Sequence, residues 1–166
     1  MIVVSDTSPL NYLVLIGADH ILLLVFGQVI APPEVLIELL HAKAPRMVQS
    51  WAANPPEWLE TRSPANVRQF GRLGPGESAA IALAQEIRAD AILIDERDGT
   101  LVAKQLGLHV AGTLNALELA AAKGLLSFPV AIQDLRRTTF RMPETLIAAM
   151  LEFDQQRRTL PPDSTS

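Results

Sequence analysis

Cysteine is missing from this sequence of 166 residues. A disulfide framework, a thiolate zinc site and a thiol nucleophile are therefore excluded. The absence fits a reducing cytoplasm, which is the location we expect. The three histidines stand far apart, at positions 20, 41 and 109. None belongs to a ligand-spaced pair, so imidazole metal chemistry has no support.

Long apolar runs are also lacking. The longest, Ile21 to Phe26, is far below the ~20 residues that a bilayer requires. The start, MIVVSDTSPL, has no basic region followed by a long apolar stretch, so we expect neither a secretory signal nor a membrane segment.

Aromatic residues are few, at 5%, although 49% of the residues are hydrophobic. Leu, Ile, Val and Ala must therefore build the core, and the length suits one domain. We expect this domain to cover residues 1–158. Residues 159–166 contain two prolines and are expected to form a frayed C-terminal tail.

Positive charge is in short supply as well, since the formal net charge is -4. This sign counts against a module that binds nucleic acid through phosphate neutralisation alone. It counts less against a metal-dependent nuclease, because a bound cation reverses the local charge.

Short apolar runs alternate with helical patterns along the chain. We predict strands at 2–5, 29–30, 58–61, 91–94 and 108–110. We predict helices at 10–16, 21–26, 34–42, 48–52, 77–88, 97–106, 113–123, 129–137 and 144–156, and an irregular loop at 62–73. This alternation favours one α/β domain of three layers, with a short-stranded parallel sheet covered by helices on both faces. The order of the strands cannot be read from the pattern.

Four acidic residues are predicted to lie at one edge of that sheet. Asp6 follows the first strand and Asp95 follows the strand at 91–94, while Glu77 opens a helix. Glu38 lies in the second turn of the helix that begins near Pro33. Because strand C-terminal ends and helix N-terminal ends share an edge in parallel α/β sheets, we expect the four carboxylates to gather there.

Carboxylates that face a core need a partner, because an unpaired buried charge is costly. Helical geometry turns Glu77 inward and places Glu38 at the margin of an apolar face. No basic residue stands where it could obviously neutralise all four acids, and Arg97 could neutralise only one or two. A hard divalent cation would neutralise the four carboxylates together, and a site of oxygen ligands alone suits magnesium or manganese.

Each acid also has a simpler interpretation. Asp6 could cap a helix, Glu77 could complement a helix dipole, Glu38 could be solvated, and Asp95 could be a turn or cap residue. The neighbouring hydroxyls of Ser5, Thr7 and Ser8 are expected to hold Asp6 by hydrogen bonds or to contact a phosphate. No GxSxG motif supports a nucleophilic serine, and residues 74–76 (GPG) lack the ending of a phosphate loop.

The same residues carry a family resemblance that spans residue 3 to about residue 140. The matching segments are VVSDTSPLNYL, APPEVLIELL, LGPGESAAIALA and ILIDERDGTLVAKQLGLHVAGTL. The chain resembles the PIN-domain nucleases, and within them a PIN-like branch similar to the toxin subunits of toxin-antitoxin pairs.

This resemblance implies that Asp6, Glu38, Glu77 and Asp95 bind Mg²⁺ or Mn²⁺. Many family members have aspartate where this chain has Glu77, and Asp98 competes with Asp95 because the fourth acid varies in position. The resemblance also implies an RNA substrate, a homodimer and, often, a small antitoxin whose segment covers the site.

Our leading hypothesis is a metal-dependent endoribonuclease, in which Thr7 and Ser8 contact the substrate or support the metal ligands. The alternative is a PIN-like binding or regulatory subunit that no longer cuts, although all four acids are in place. A phosphotransfer enzyme with an aspartyl nucleophile would want an Asp-x-Asp arrangement. Here the segment from Asp6 to Ser8 supplies one acid.

Overall fold

A computed structural model describes residues 1–160, which form a parallel sheet of five strands and nine helices. The strands are β1 (Ile2–Ser5), β2 (Gln28–Ala31), β3 (Leu59–Thr61), β4 (Ala91–Leu93) and β5 (Val110–Ala111). The helices are α1 (Thr7–Leu15), α2 (Ile21–Phe26), α3 (Pro33–Leu39), α4 (Arg46–Ala53), α5 (Pro75–Glu86), α6 (Arg97–Gln105), α7 (Thr113–Ala122), α8 (Phe128–Arg136) and α9 (Glu144–Thr159). The predicted α/β class is confirmed.

The strands lie in the order β3-β2-β1-β4-β5, and each neighbouring pair is parallel. The chain therefore builds the sheet outward from β1 on one side and then crosses to the other side with β4. Such a reversal opens a crevice outside the carboxyl ends of the two central strands. The backbone N–H of Asp6 donates to the carbonyl of Leu93 at 2.9 Å, so β1 and β4 stay joined up to this crevice.

Both faces of the sheet are covered. Neighbouring strand residues point to opposite faces, so Val3 and Val4 are both fully buried but belong to separate core clusters. Helices α5 and α6 supply the buried residues that pack around Val4, whereas the remaining helices pack on the face of Val3. The three-layer prediction is confirmed.

Two helices begin earlier than predicted, and both lead into the crevice. Helix α1 begins at Thr7 instead of Leu10, and α5 begins at Pro75 instead of Glu77. Each has a proline in its first turn, where the N–H groups have no intrahelical partner in any case. Thr7, Ser8 and Gly76 therefore belong to helix first turns.

The predictions for α3 and β5 were also wrong at their ends. Helix α3 ends at Leu39 instead of Ala42. Strand β5 is Val110–Ala111 instead of 108–110, because its register is fixed by pairing with Ile92 and Leu93.

Helix α9 continues to Thr159, beyond the predicted end at Gln156. Its last turn is held by Arg157 and Arg158, which both pair with the buried Asp154, the latter at 3.0 Å. The helix thus includes Thr159, the first residue of the predicted tail, and residues 161–166 of that tail lie outside the described residues.

None of the helices in residues 1–160 combines the length and the apolar character needed to cross a membrane.

Candidate metal centre

Asp6 lies where β1 ends, at the mouth of the crevice. It occupies the N-cap position of α1, yet its side chain makes no capping hydrogen bond. The residue is 2% exposed, and its Oδ1 atom is buried without a hydrogen-bond partner among the described residues. The capping interpretation therefore lacks the hydrogen bond that defines it.

Glu38 reaches the same crevice from the last turn of α3. Its Oε2 atom accepts a short hydrogen bond from the Thr7 hydroxyl, and its Oε1 atom accepts one from the backbone N–H of Gly76 at 2.8 Å. A Cβ atom added at Gly76 would lie 2.6 Å from Oε2. The first turn of α5 can therefore approach Glu38 this closely because residue 76 is glycine.

Glu77 enters the crevice from the first turn of α5. Its Oε2 atom accepts a hydrogen bond from the backbone N–H of Gly74 at 3.1 Å, so the side chain does support the start of the helix. Its Oε1 atom is buried without a partner among the described residues, and a Cβ atom at Gly99 would lie 2.8 Å from it. Support for the start of α5 therefore explains the position of Oε2 but leaves the burial of Oε1 unexplained.

Asp95 follows β4 and is anchored to the start of α7. Its Oδ1 atom accepts a hydrogen bond from the backbone N–H of Thr113, and its Oδ2 atom accepts one from the Thr113 hydroxyl, both at 2.7 Å. Gly112 leaves room for this contact, since a Cβ atom there would lie 2.7 Å from Oδ1. The side chain of Asp95 is thus fixed in place by Thr113.

Burial raises the pKa of the Asp6 carboxyl from 3.8 to about 7. The adjacent backbone N–H of Thr7 partly offsets this change in pKa, whereas the charges of Glu77, Glu38 and Asp95 add to it. Burial is also the main reason that the pKa values of Glu77 and Asp95 are raised. Glu38, Glu77 and Asp95 therefore all lie close enough to Asp6 for their charges to act on its carboxyl group.

Positive charge does not compensate this centre. Within residues 1–160, no lysine or arginine forms a salt bridge with any of the four acids, and Arg97 forms none at all. The expectation that Arg97 could neutralise one or two of the acids through a salt bridge is therefore not met. The four acids are therefore not neutralised by a salt bridge within the described part of the chain.

Glu96 is a further acid of this region that the sequence interpretation missed. It is exposed at the N-cap of α6, and its charge raises the pKa of both Glu77 and Asp95. Asp98 is exposed in the first turn of α6 and acts on Glu77. The signal for Glu96 was its position directly after Asp95.

The hydroxyl groups near Asp6 contact other partners. Thr7 donates to Glu38, and Ser8 lies 3.4 Å from a carboxylate oxygen of Glu96. Ser5 donates to the backbone carbonyl of Asp6 at 2.9 Å, not to its carboxylate. The expectation that these hydroxyls hold Asp6 by hydrogen bonds is therefore met by Ser5 alone, through the backbone carbonyl of Asp6. Substrate contact by Thr7 and Ser8 stays a prediction.

The donor set fits a hard divalent cation, because it consists of oxygens and includes the two unpartnered atoms on Asp6 and Glu77. In the described part of the chain, no three acidic or histidine side chains are placed so that together they could hold an ion. Mg²⁺ often takes only one or two carboxylates and keeps several waters. The centre therefore suits such an ion without forming a complete cage of protein ligands.

The acids that follow β1 and β4 meet the acids of α3 and α5 at one crevice. This arrangement, on a parallel α/β domain, defines the class of this protein. A family model described as PIN domain matches residues 2–156. The chain belongs to the PIN-domain family, whose members are typically nucleases and generally use divalent metals. No curated protein and no solved structure matches the chain.

Proposed function

We propose that this protein is a Mg²⁺- or Mn²⁺-dependent endoribonuclease that hydrolyses phosphodiester bonds in RNA. The observation that carries the proposal is the pair of buried, unpartnered oxygens on Asp6 and Glu77, in a centre whose four acids form no salt bridge within residues 1–160. Membership of a nuclease family supports the same activity.

In this proposal Asp6 is the central ligand. Glu38, Glu77 and Asp95 complete the centre directly or through water. When bound, the cation supplies positive charge for the phosphate of the transition state. Because Thr7 and Gly76 hold Glu38 and Thr113 holds Asp95, these two carboxylates are already oriented before substrate arrives. One of Glu38, Glu77 and Asp95 orients the attacking water.

The purified protein, freed of any bound partner, should cleave single-stranded RNA in Mg²⁺ or Mn²⁺. Cleavage should stop when EDTA is added and return when excess Mn²⁺ is restored, because the carboxylates alone carry the wrong charge to stabilise a phosphate. Product formation on a denaturing gel is the measurement. Undiminished cleavage in EDTA would contradict the metal-dependent mechanism.

Asp95→Asn should lower the cleavage rate about 10- to 100-fold, the usual range for a residue that supports a metal centre, and Asp98→Asn should lower it less. The charge of Asp95 raises the pKa of Asp6, and Thr113 anchors the Asp95 side chain. Asp98 is exposed, and its charge raises the pKa of Glu77 instead. The two substitutions remove the same charge and preserve the same shape, so each controls for the other. The opposite ranking of rates would assign the fourth-acid role to Asp98.

The alternative is a PIN-like binding or regulatory subunit that does not cut. The observation in its favour is the lack, among the described residues, of three acids that together could hold an ion. Failure to cleave RNA in either metal, by protein that still binds RNA, would favour this alternative.

We further propose a toxin role, a homodimer and a small antitoxin that covers the crevice. These rest on the resemblance to PIN-like toxin subunits. Purification of the chain from its source with a small bound protein would support them, and purification as a lone monomer would argue against them.

A further inference from the structure

A groove of about 820 Å³ leads away from the acidic centre. Asp95 and Glu96 line it, so the groove adjoins the acidic centre at these two residues. From there it extends between α6 and α7 to the segment that links α8 with the start of α9. We call this cavity the lateral groove.

Helix α6 lines the lateral groove with one face. Arg97, Thr100 and Lys104 all line it, and their spacing of three and then four residues places them on the same side of a helix. Lys104 lies about 10 Å along the helix axis from Arg97, by the 1.5 Å rise per residue. The groove therefore carries positive charge at two levels, the second well away from the carboxylates.

Arg141 adds a third positive charge from the segment before α9. Arg141 and Lys104 are exposed, and neither forms a salt bridge within residues 1–160. On a chain with a net charge of -4, Arg97, Lys104 and Arg141 give the groove three basic side chains that can contact phosphates. Three acids of residues 1–160 line the groove as well, namely Asp95 and Glu96 at its junction with the acidic centre and Glu118 on α7.

An aromatic pair also lines the lateral groove. The rings of Tyr12 and Phe140 meet edge to face with their centroids 5.0 Å apart, and both residues are half-buried. Aromatic side chains beside backbone-binding cations are the usual platform for unpaired bases, which stack on them. Paired bases in a duplex are already stacked on each other and cannot use such a platform.

We propose that the lateral groove binds a single strand of RNA, with phosphates at Lys104 and Arg141 and a base against Phe140, and leads the strand to the acidic centre. This inference rests on the proposed nuclease function and assigns the path that its substrate takes. Because the strand passes Asp95 and Glu96 where groove and centre meet, a phosphodiester bond in the groove is brought beside the carboxylates.

Binding can be measured separately from cleavage with the Asp6→Asn protein and a fluorescent single-stranded RNA, whose integrity is checked on a gel. Affinity is measured by anisotropy at several salt concentrations. Lys104→Ala and Arg141→Ala should each weaken binding and lower the slope of log affinity against log salt by about 0.7, the value for one lost phosphate contact. Phe140→Leu, which keeps an apolar side chain, should weaken binding about fivefold or more.

The matched controls are Arg46→Ala and Lys123→Ala, which remove exposed basic side chains outside the groove and should leave affinity and slope unchanged. A duplex of the same sequence should bind more weakly than the single strand. Equal loss in the groove and control variants would overturn the assignment of the groove, and tighter binding of the duplex would overturn the single-strand path.

The two proposals fail in distinguishable ways. If wild-type protein cuts RNA while the groove variants bind it normally, the function stands and the lateral groove is wrong. If wild-type protein never cuts RNA but binding depends on Lys104 and Arg141, the groove stands and the nuclease function is wrong.

Discussion

Asp6→Asn should abolish RNA cleavage and leave the fold intact. The substitution keeps the shape of the side chain but removes the charge of the most buried of the four acids, whose Oδ1 atom has no partner in the described residues. Since Asp6 interacts with all three other acids, no neighbour can take over its place at the centre. The expected loss in rate is at least about 10²- to 10³-fold, comparable to removing one electrostatic stabiliser from an active site.

The matched control is Asp134→Asn, the same chemical change on α8, at a residue that is not one of the four acids. Asp134 lies on α8 in a surface ion pair with Arg137 at 3.6 Å, a contact that contributes little to stability. The control should cut RNA at the wild-type rate. Initial rates in Mn²⁺ are the measurement, with circular dichroism to verify folding. Normal cleavage by Asp6→Asn would remove Asp6 from the centre.

The edge location of three of the four acids follows from the sequence because parallel α/β topology determines it. Once Asp6 and Asp95 are placed after strands and Glu77 at a helix start, they must share the carboxyl edge whatever the order of the strands. The strand order itself depends on which strands meet in three dimensions, so local pattern could not reveal that β1 and β4 are neighbours.

The orientation of Glu38 shows where sequence reasoning ends. Helical geometry placed it at the margin of an apolar face, which leaves its direction open. Its direction is settled by Thr7 and Gly76, which come from other helices and lie 31 and 38 residues away in the chain. Long-range contacts of this kind have no signature in the local pattern.

No role at the centre was predicted for Gly76 or Gly99. Gly76 was placed just before the helix that begins at Glu77 but lies inside the first turn of α5, whereas Gly99 lies in the first turn of α6, within the helix predicted at 97–106. Added Cβ atoms there would meet carboxylate oxygens of Glu38 and Glu77 at 2.6 and 2.8 Å. Their role is close approach, which becomes visible only when the facing side chain is known.

The pH dependence of stability provides a second large expected effect. The folded-state pKa of Asp6 is about 7 against an ordinary value of 3.8, so between these values the folded form binds more protons than the unfolded form. Stability should therefore fall as pH rises from about 4 to about 7, and the full cost should be present above that range. At 1.36 kcal/mol for each pKa unit, this cost is about 4 kcal/mol.

Asp6→Asn should accordingly melt higher than metal-free wild type at pH 8, by up to about 10 °C, and the difference should vanish near pH 4. The amide carries no charge, so it avoids the cost of burying one. The raised pKa values of Glu77 and Asp95 likewise lower the stability of the wild type as pH rises. Thermal unfolding followed by circular dichroism across pH 4 to 8, in EDTA, is the measurement.

Mn²⁺ should reverse the penalty in the wild type at pH 8, because a ligand of the folded form stabilises it by about 2.7 kcal/mol at a hundred times its dissociation constant. The melting temperature should therefore keep rising with Mn²⁺ concentration in the wild type and in the Asp134→Asn control, and hardly change in Asp6→Asn. If Asp6→Asn melts lower than metal-free wild type and Mn²⁺ leaves the wild type unchanged, Asp6 is a structural residue of the helix start. The proposed metal centre would then lose its physical basis, since the buried charge would already be satisfied by the protein.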